Sequence, residues 1–152
     1  MSNIEYKIND LSDLDTAIKM SKDIFHPSAT EIEQYHNKLD WTKKINDDDG
    51  LLVMAYVDNE PAGFVMCYSK EPKTLHIWVG GVLEKYRGLG IWTGIYEKIE
   101  SYATAKNHQR LTLNTYKDKF PVMYTFASTH GFHCYKTEIK DNREKSYFER
   151  KL

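Results

Sequence analysis

The chain has 152 residues, of which 41% are hydrophobic, with 21 Lys and Arg against 22 Asp and Glu. That length suits one domain over residues 1–152 with a core of its own, and a net charge of −1 excludes a chain-wide attraction to nucleic acid or anionic membrane. The charge is uneven: residues 106–152 hold ten Lys and Arg against five acids. The later part therefore suits a polyanionic ligand and the acid-rich earlier part a cationic substrate, unless the asymmetry is only a solvated surface. Two cysteines make no disulfide framework, and no apolar run resembles a leader or a membrane span. A cytoplasmic protein is expected.

In chain order, Ile4-Glu5-Tyr6-Lys7-Ile8 alternates apolar and polar residues and predicts a strand. Ser12 and Asp15 have capping-box spacing. Leu14, Ala17, Ile18, Ser21, Ile24 and Phe25 then form a helical stripe that Pro27 ends. Thr30 with Glu33 offers a second cap, and Ile32, Tyr35, Leu39 and Ile45 carry a second helix towards Asn46. Asp47-Asp48-Asp49-Gly50 lacks calcium-loop spacing and reads as a solvated turn. Leu51 to Val57, Ala62 to Tyr68 and Thr74 to Val79 predict three strands of an antiparallel meander, with turns at Asp58-Asn59-Glu60-Pro61 and Glu71-Pro72. Gly80-Gly81 interrupts the last strand, as at a bulge or a close ligand approach. Ile91, Ile95, Ile99, Tyr102 and Ala103 then keep a 3.6-residue period. Leu111-Thr112-Leu113 is a short strand, Pro121 opens a helix that runs to Gly131, and Phe132 to Thr137 and Ser146 to Lys151 close as paired strands. The order predicts an α/β (α+β) fold: a mixed, mostly antiparallel central sheet with helices on both faces.

The stretch Val82-Leu83-Glu84-Lys85-Tyr86-Arg87-Gly88-Leu89-Gly90-Ile91 leaves a strand and opens a helix. A helix start carries unpaired N–H groups and the positive end of the dipole. Glycines let the backbone approach a phosphate, and Arg87 adds a fixed charge with forked donors. Together they make a candidate pyrophosphate cradle; the alternative is a plain turn with Arg87 in solvent. The ATP-binding loop is excluded because no Gly-Lys-Ser/Thr follows, and the dinucleotide fingerprint because Gly88, Gly90 and Gly94 have the wrong spacing. His130 and His133 flank Gly131-Phe132 without completing a four-ligand set, so no metal is expected.

Arg87-Gly88-Leu89-Gly90-Ile91-Trp92, preceded by Val82 and Tyr86 and followed later by Gly131-Phe132, resembles the GNAT superfamily of N-acetyltransferases. That family carries Arg/Gln-x-x-Gly-x-Gly/Ala after its fourth strand. The element order agrees along nearly the whole chain, and the match is most specific over residues 75–133. The resemblance implies direct transfer of an acetyl group from acetyl-CoA to an amine of a small molecule or a protein. Backbone groups near Gly80 and Val82 would pair with pantetheine, and the N–H groups of Arg87, Gly88, Leu89, Gly90, Ile91 and Trp92 would hold the pyrophosphate. A backbone N–H near Val82 would serve the oxyanion. Asn114 stands near an asparagine that often follows the family's fifth strand and is a further candidate cofactor contact.

The pattern is broken in three places. Trp92 stands where Gly or Ala is usual, and its indole is expected on the helix surface or at an interface. Ala127 stands where many members have the tyrosine that protonates the leaving thiolate; Tyr124, three residues earlier, is the substitute unless it only packs in the core or sits on the surface, in which case water serves. Leu75-His76-Ile77-Trp78-Val79 lacks the usual strand glutamate, leaving His76 as the candidate base. The acceptor site is expected around Phe25, His26, Glu31, Tyr35 and Trp41, where acids and aromatics would suit a cationic amine. Two other readings stay open: a non-catalytic acyl-CoA sensor, and an interaction protein using Trp78, Trp92 and surface tyrosines. A homodimer is compatible with each.

Overall fold

The structure is a computed structural model that describes residues 3–26, 28, 30 and 37–152. Its strands are β1 (Ile4–Ile8), β2 (Leu51–Val57), β3 (Glu60–Glu71), β4 (Thr74–Val82), β5 (Arg110–Tyr116), β6 (His133–Lys140) and β7 (Arg143–Lys151). The helices are α1 (Leu14–Phe25), α2 (Lys38–Asp47), α3 (Ile91–Ala105) and α4 (Pro121–Thr129), with 3-10 turns at Leu11–Asp13 and Glu84–Tyr86. The seven strands form one sheet in the order β1-β2-β3-β4-β5-β7-β6. Every neighbouring pair is antiparallel except β4 and β5.

Alternation along the strands builds two cores. Val53, Val65, Cys67 and Ile77 face Ile91, Ile95 and Ile99 of α3 and Phe126 of α4. Leu52, Met54, Phe64 and Met66 face Leu14, Ala17 and Ile18 of α1 and Trp41 of α2. Trp41 has 0% exposure, stacks on Phe64 at 6.1 Å between ring centroids and meets Trp78 edge-on at 5.6 Å. The two-sided sheet with helices on both faces agrees with the sequence reading.

Local details differ from it. Ser12 does not cap α1: the Asp10 side chain accepts from the Ser12 N–H at 3.0 Å, and a 3-10 turn intervenes. α1 ends with His26 left-handed at φ +47°, its N–H on the Lys22 carbonyl at 2.9 Å; Pro27 lies outside the described residues. Ile32, Glu33 and Tyr35 of the expected second helix lie there too. The described part, α2, is capped by the Asn37 side chain, which accepts from the Asp40 N–H at 2.8 Å.

Two hairpins are tighter and longer than expected. Asp58-Asn59 alone joins β2 to β3, and Asp141-Asn142 alone joins β6 to β7, all four residues at positive φ. That is the backbone of a two-residue turn matched to strand twist, so Glu60 and Pro61 already belong to β3.

β4 does not stop at Gly80-Gly81. It continues to Val82, with Gly80 opposite Val65 and Gly81 opposite Phe64. Close packing requires glycine at Gly80, where a Cβ would lie 2.8 Å from the Phe64 carbonyl oxygen; a Cβ on Gly81 would crowd the end of the Ile24 side chain at 3.2 Å. The irregularity sits earlier. Met66 pairs with Val79 and Cys67 with Ile77, which leaves Trp78 as the extra residue of a bulge.

Candidate functional site

The bulge coincides with the end of the only parallel pairing in the described sheet. β4 and β5 pair from Thr74 with Arg110 to Ile77 with Leu113, and no further. Beyond that point Trp78–Val82 and Asn114–Tyr116 part, and a cavity of about 750 Å³ opens between them. Its walls include Trp78, Val79 and Gly80 of β4, Leu113, Asn114, Thr115 and Tyr116 of β5, and Trp92 of α3.

The free edge of β4 faces this opening. The Leu83 N–H donates to the Ala62 carbonyl at 2.9 Å, so Leu83 and Gly81 turn their backbone groups to β3. Antiparallel alternation then turns those of Gly80 and Val82 the other way. The Val82 carbonyl accepts the Arg87 Nε–H at 3.2 Å, in keeping with that direction.

From Val82 the chain passes through the 3-10 turn into the glycine loop. Gly88 has φ +84° and Gly90 φ +76°, and a Cβ on either would meet nothing within 4 Å. Glycine serves here through backbone conformation rather than close packing. Gly90 is the N-cap of α3 and offers no side-chain cap. The first closing bond of α3 runs from the Gly94 N–H to the Gly90 carbonyl at 3.1 Å, so the N–H groups of Ile91, Trp92 and Thr93 lack an intrahelical acceptor. The Arg87 N–H differs from expectation, because it already donates to the Glu84 carbonyl at 3.2 Å. Amides without an intrahelical acceptor at the positive end of a 15-residue helix fit a pyrophosphate.

Trp92 is not a surface aromatic. Its ring packs edge-on against Phe126 at 5.8 Å and forms part of the cavity wall, with Nε1 buried and without a protein acceptor. Asn114 lies on the opposite wall, half-buried. Leu89 is exposed at the loop tip, and Ile91 is buried in the core.

His76 lines the cavity at 4% exposure, and its Nδ1 shares a 2.8 Å hydrogen bond with Thr112 Oγ1. Burial, and then the charges of Lys70 and Lys145, push the imidazole down to about 3. At neutral pH it is therefore uncharged and a weak proton acceptor. Tyr124 is not brought into the cavity: its ring lies edge-on to Phe148 at 5.3 Å, beneath Lys117 at 4.9 Å. α4 presents Met123 to the cavity instead, and the tyrosines that line it are Tyr68 and Tyr116.

Of the expected acceptor residues, Phe25 lines the cavity and touches Phe120 edge-on at 5.4 Å. Trp41 is buried beneath Trp78, and Glu31 and Tyr35 lie outside the described residues. Sequence reasoning missed Tyr68, Lys70, Tyr116, Lys140 and Lys145. The signal for the last two was the Asp141-Asn142 turn, which sets both residues on one hairpin. Among the described residues no cluster of three or more His, Cys, Asp or Glu is placed to hold a metal, and no helix is long and apolar enough to cross a membrane.

The sequence profile of the Acetyltransferase (GNAT) family matches residues 14–132. No curated protein matches the chain. Among solved structures, Ard1 from Thermoplasma volcanium superposes with a TM-score of 0.80 at 14% identity, covering 98% of this chain and 97% of its own. The PaiA N-acetyltransferase from Thermoplasma acidophilum, solved with coenzyme A, gives 0.72 at 20% identity over 99% of both chains. Arabidopsis thaliana NAA60, solved with acetyl-CoA, gives 0.75 at 15% identity over 99% of both. At these identities the likeness establishes the fold, while the profile match spans well over half of the sequence. The chain belongs to the GNAT acetyltransferase family.

Proposed function

We propose that this protein transfers an acetyl group from acetyl-CoA directly to an amine. The observation that carries the reading is the parting of β4 and β5 beside a helix start whose amides have no intrahelical acceptor. The thioester supplies an activated acyl carbon and a stable thiolate leaving group. The residues of the chain bind, orient and shield. The N–H groups of Gly88 to Trp92 hold the pyrophosphate, and the Arg87 guanidinium adds positive charge beside them. The outward backbone groups of Gly80 and Val82 pair with pantetheine as an added strand would, with Asn114 on the facing wall. A backbone N–H of the same segment is available to the developing oxyanion.

The amine reaches the thioester from the α1/α2 face, past Tyr68, His76 and Trp78. His76 orients it through Nε2 without holding charge, and the ammonium proton leaves to water. Tyr116 replaces Tyr124 as the side-chain donor nearest the leaving group, because its side chain lines the cavity.

Calorimetric titration of acetyl-CoA into wild-type protein and Arg87→Ala tests the cofactor site, and thioester consumption across a panel of amines tests transfer. Expected are micromolar-range binding, weakened about tenfold in the variant, and acceptor-dependent release of free thiol. Absence of binding to folded protein would refute the reading. Binding without transfer to any amine would favour an acyl-CoA sensor.

A further inference from the structure

Among the described residues, the acceptor side of the cavity has an unbalanced charge. Lys70, Lys119, Lys140 and Lys145 line it, and the one carboxylate among the described lining residues is Asp141. No ion pair within 4.0 Å joins any of these lysines to a described carboxylate. Other basic residues nearby are paired: Lys44 with Asp40, Arg110 with Glu71 and Glu149, and Lys136 with Glu138. The cavity lysines arrive from three places in the chain: the end of β3, the β5–α4 connection and the β6–β7 hairpin. Lys119 and Lys145 lie over the rings of Phe120 and Tyr147, at 5.3 and 5.1 Å, but no charge neutralises the group, and an anion would relieve the repulsion that solvent only screens.

The charges are felt inside the site. Partial burial and then Lys140 make Lys145 harder to keep protonated; Glu138 opposes this, and Lys70 and Lys136 add to it. Lys70 and Lys145 both act on His76 on the cavity wall. Lys70 also stands apart from the glycine loop. It lies beside the Thr74 end of β4, eight residues from Val82, or about 26 Å along an extended strand. A pyrophosphate at Gly88–Trp92 therefore does not account for the cluster.

We propose that the acceptor is an anionic amine: a small molecule or short peptide whose amino group is followed by carboxylates. The amine enters past Trp78 towards the thioester, and the carboxylates stay outside on Lys70, Lys140 and Lys145. This rests on the acetyltransferase reading, and it replaces the cationic acceptor that the acid-rich first part of the sequence suggested.

The test uses three tripeptide amides of one backbone, Ala-Asp-Asp, Ala-Asn-Asn and Ala-Lys-Lys. Each is assayed for acetylation and, separately, for binding by quenching of the fluorescence of Trp78 and Trp92, with acetyl-CoA affinity measured by calorimetry. The acidic peptide is expected to exceed the neutral one by about tenfold in kcat/KM and in affinity at low salt, and the basic peptide to be the poorest. Added salt narrows the difference, since Lys70 and Lys140 are exposed. The Lys140→Gln/Lys145→Gln double variant lowers the acidic-to-basic ratio by about tenfold. Equal use of the three peptides, a preference for the basic one, or a ratio unmoved by the double variant overturns the proposal while leaving acetyl transfer intact. If acetyl-CoA does not bind but the acidic peptide still quenches in a Lys140- and Lys145-dependent way, the anion site stands and the transfer reading falls. No charge-dependent binding at all also overturns the proposal.

Discussion

Replacing Gly90 by alanine separates backbone conformation from packing at the glycine loop. A Cβ at this position meets nothing within 4 Å, so the substitution removes no contact and creates no clash. What it meets is φ +76° at the N-cap of α3. An L-residue held there costs about 1–2 kcal/mol, which is the whole expected loss of unfolding free energy. For a chain of this size that lowers Tm by roughly 2–8 °C. The chain can escape the strain by rotating residue 90 towards negative φ, but this turns the N–H groups of Ile91 and Trp92 away from their common focus. Acetyl-CoA affinity should then fall by about tenfold, the equivalent of roughly 1.4 kcal/mol. Gly90→Asn should recover much of the stability, because asparagine visits the left-handed region more readily. The assays are denaturant unfolding and calorimetric titration of the same preparations. Equal midpoints for wild type and Gly90→Ala would refute the conformational account. A destabilised variant that binds acetyl-CoA within about twofold of wild type would refute the loop's role as the pyrophosphate cradle.

Three further outcomes follow from the structure. His76 is pushed from an ordinary 6.5 to about 3 by burial, Lys70 and Lys145, so between those values the unfolded chain binds the extra proton. Stability from this group is complete above 6.5 and is lost as pH falls towards 3, with a slope of about 1.4 kcal/mol per pH unit near pH 5. His76→Gln should flatten the unfolding free energy against pH in that window, and an unchanged slope would show that His76 is not held neutral. Tyr116→Phe should lower kcat by roughly tenfold or more, whereas Tyr124→Phe stays within about twofold; the reverse order in steady-state kinetics would restore Tyr124 as the proton donor. Trp41→Ala removes a side chain with 0% exposure wedged between Phe64 and Trp78, at a cost of about 3–5 kcal/mol by denaturant unfolding. A loss below about 1 kcal/mol would mean that the α2 face of the sheet tolerates the cavity.

The order of elements was legible because strand and helix periods differ, and because most strands here have one face against each helix layer. The glycine loop was legible for a related reason. Arg87, Gly88 and Gly90 are contiguous, and the chemistry of a helix start depends only on neighbours in the chain. The side chains that line the cavity were not legible. Tyr116 lines it and Tyr124 does not, and Tyr124 packs edge-on against Phe148, which is 24 positions away. Trp92 looked like a surface residue because nothing nearby in sequence reveals that Phe126 covers it. His76 stood as a candidate base because nothing nearby in sequence shows that it is buried, which with Lys70 and Lys145, the latter 69 positions away, lowers its pKa.

By itself, then, the sequence determined the fold class, the family and the glycine loop proposed to hold acetyl-CoA, all of which rest on local periodicity or on contiguous residues. The tertiary structure alone decided what lines the cavity between β4 and β5. The end of β3, the β5–α4 connection and the β6–β7 hairpin bring four lysines to one cavity, and charge acts through distance in space rather than separation along the chain.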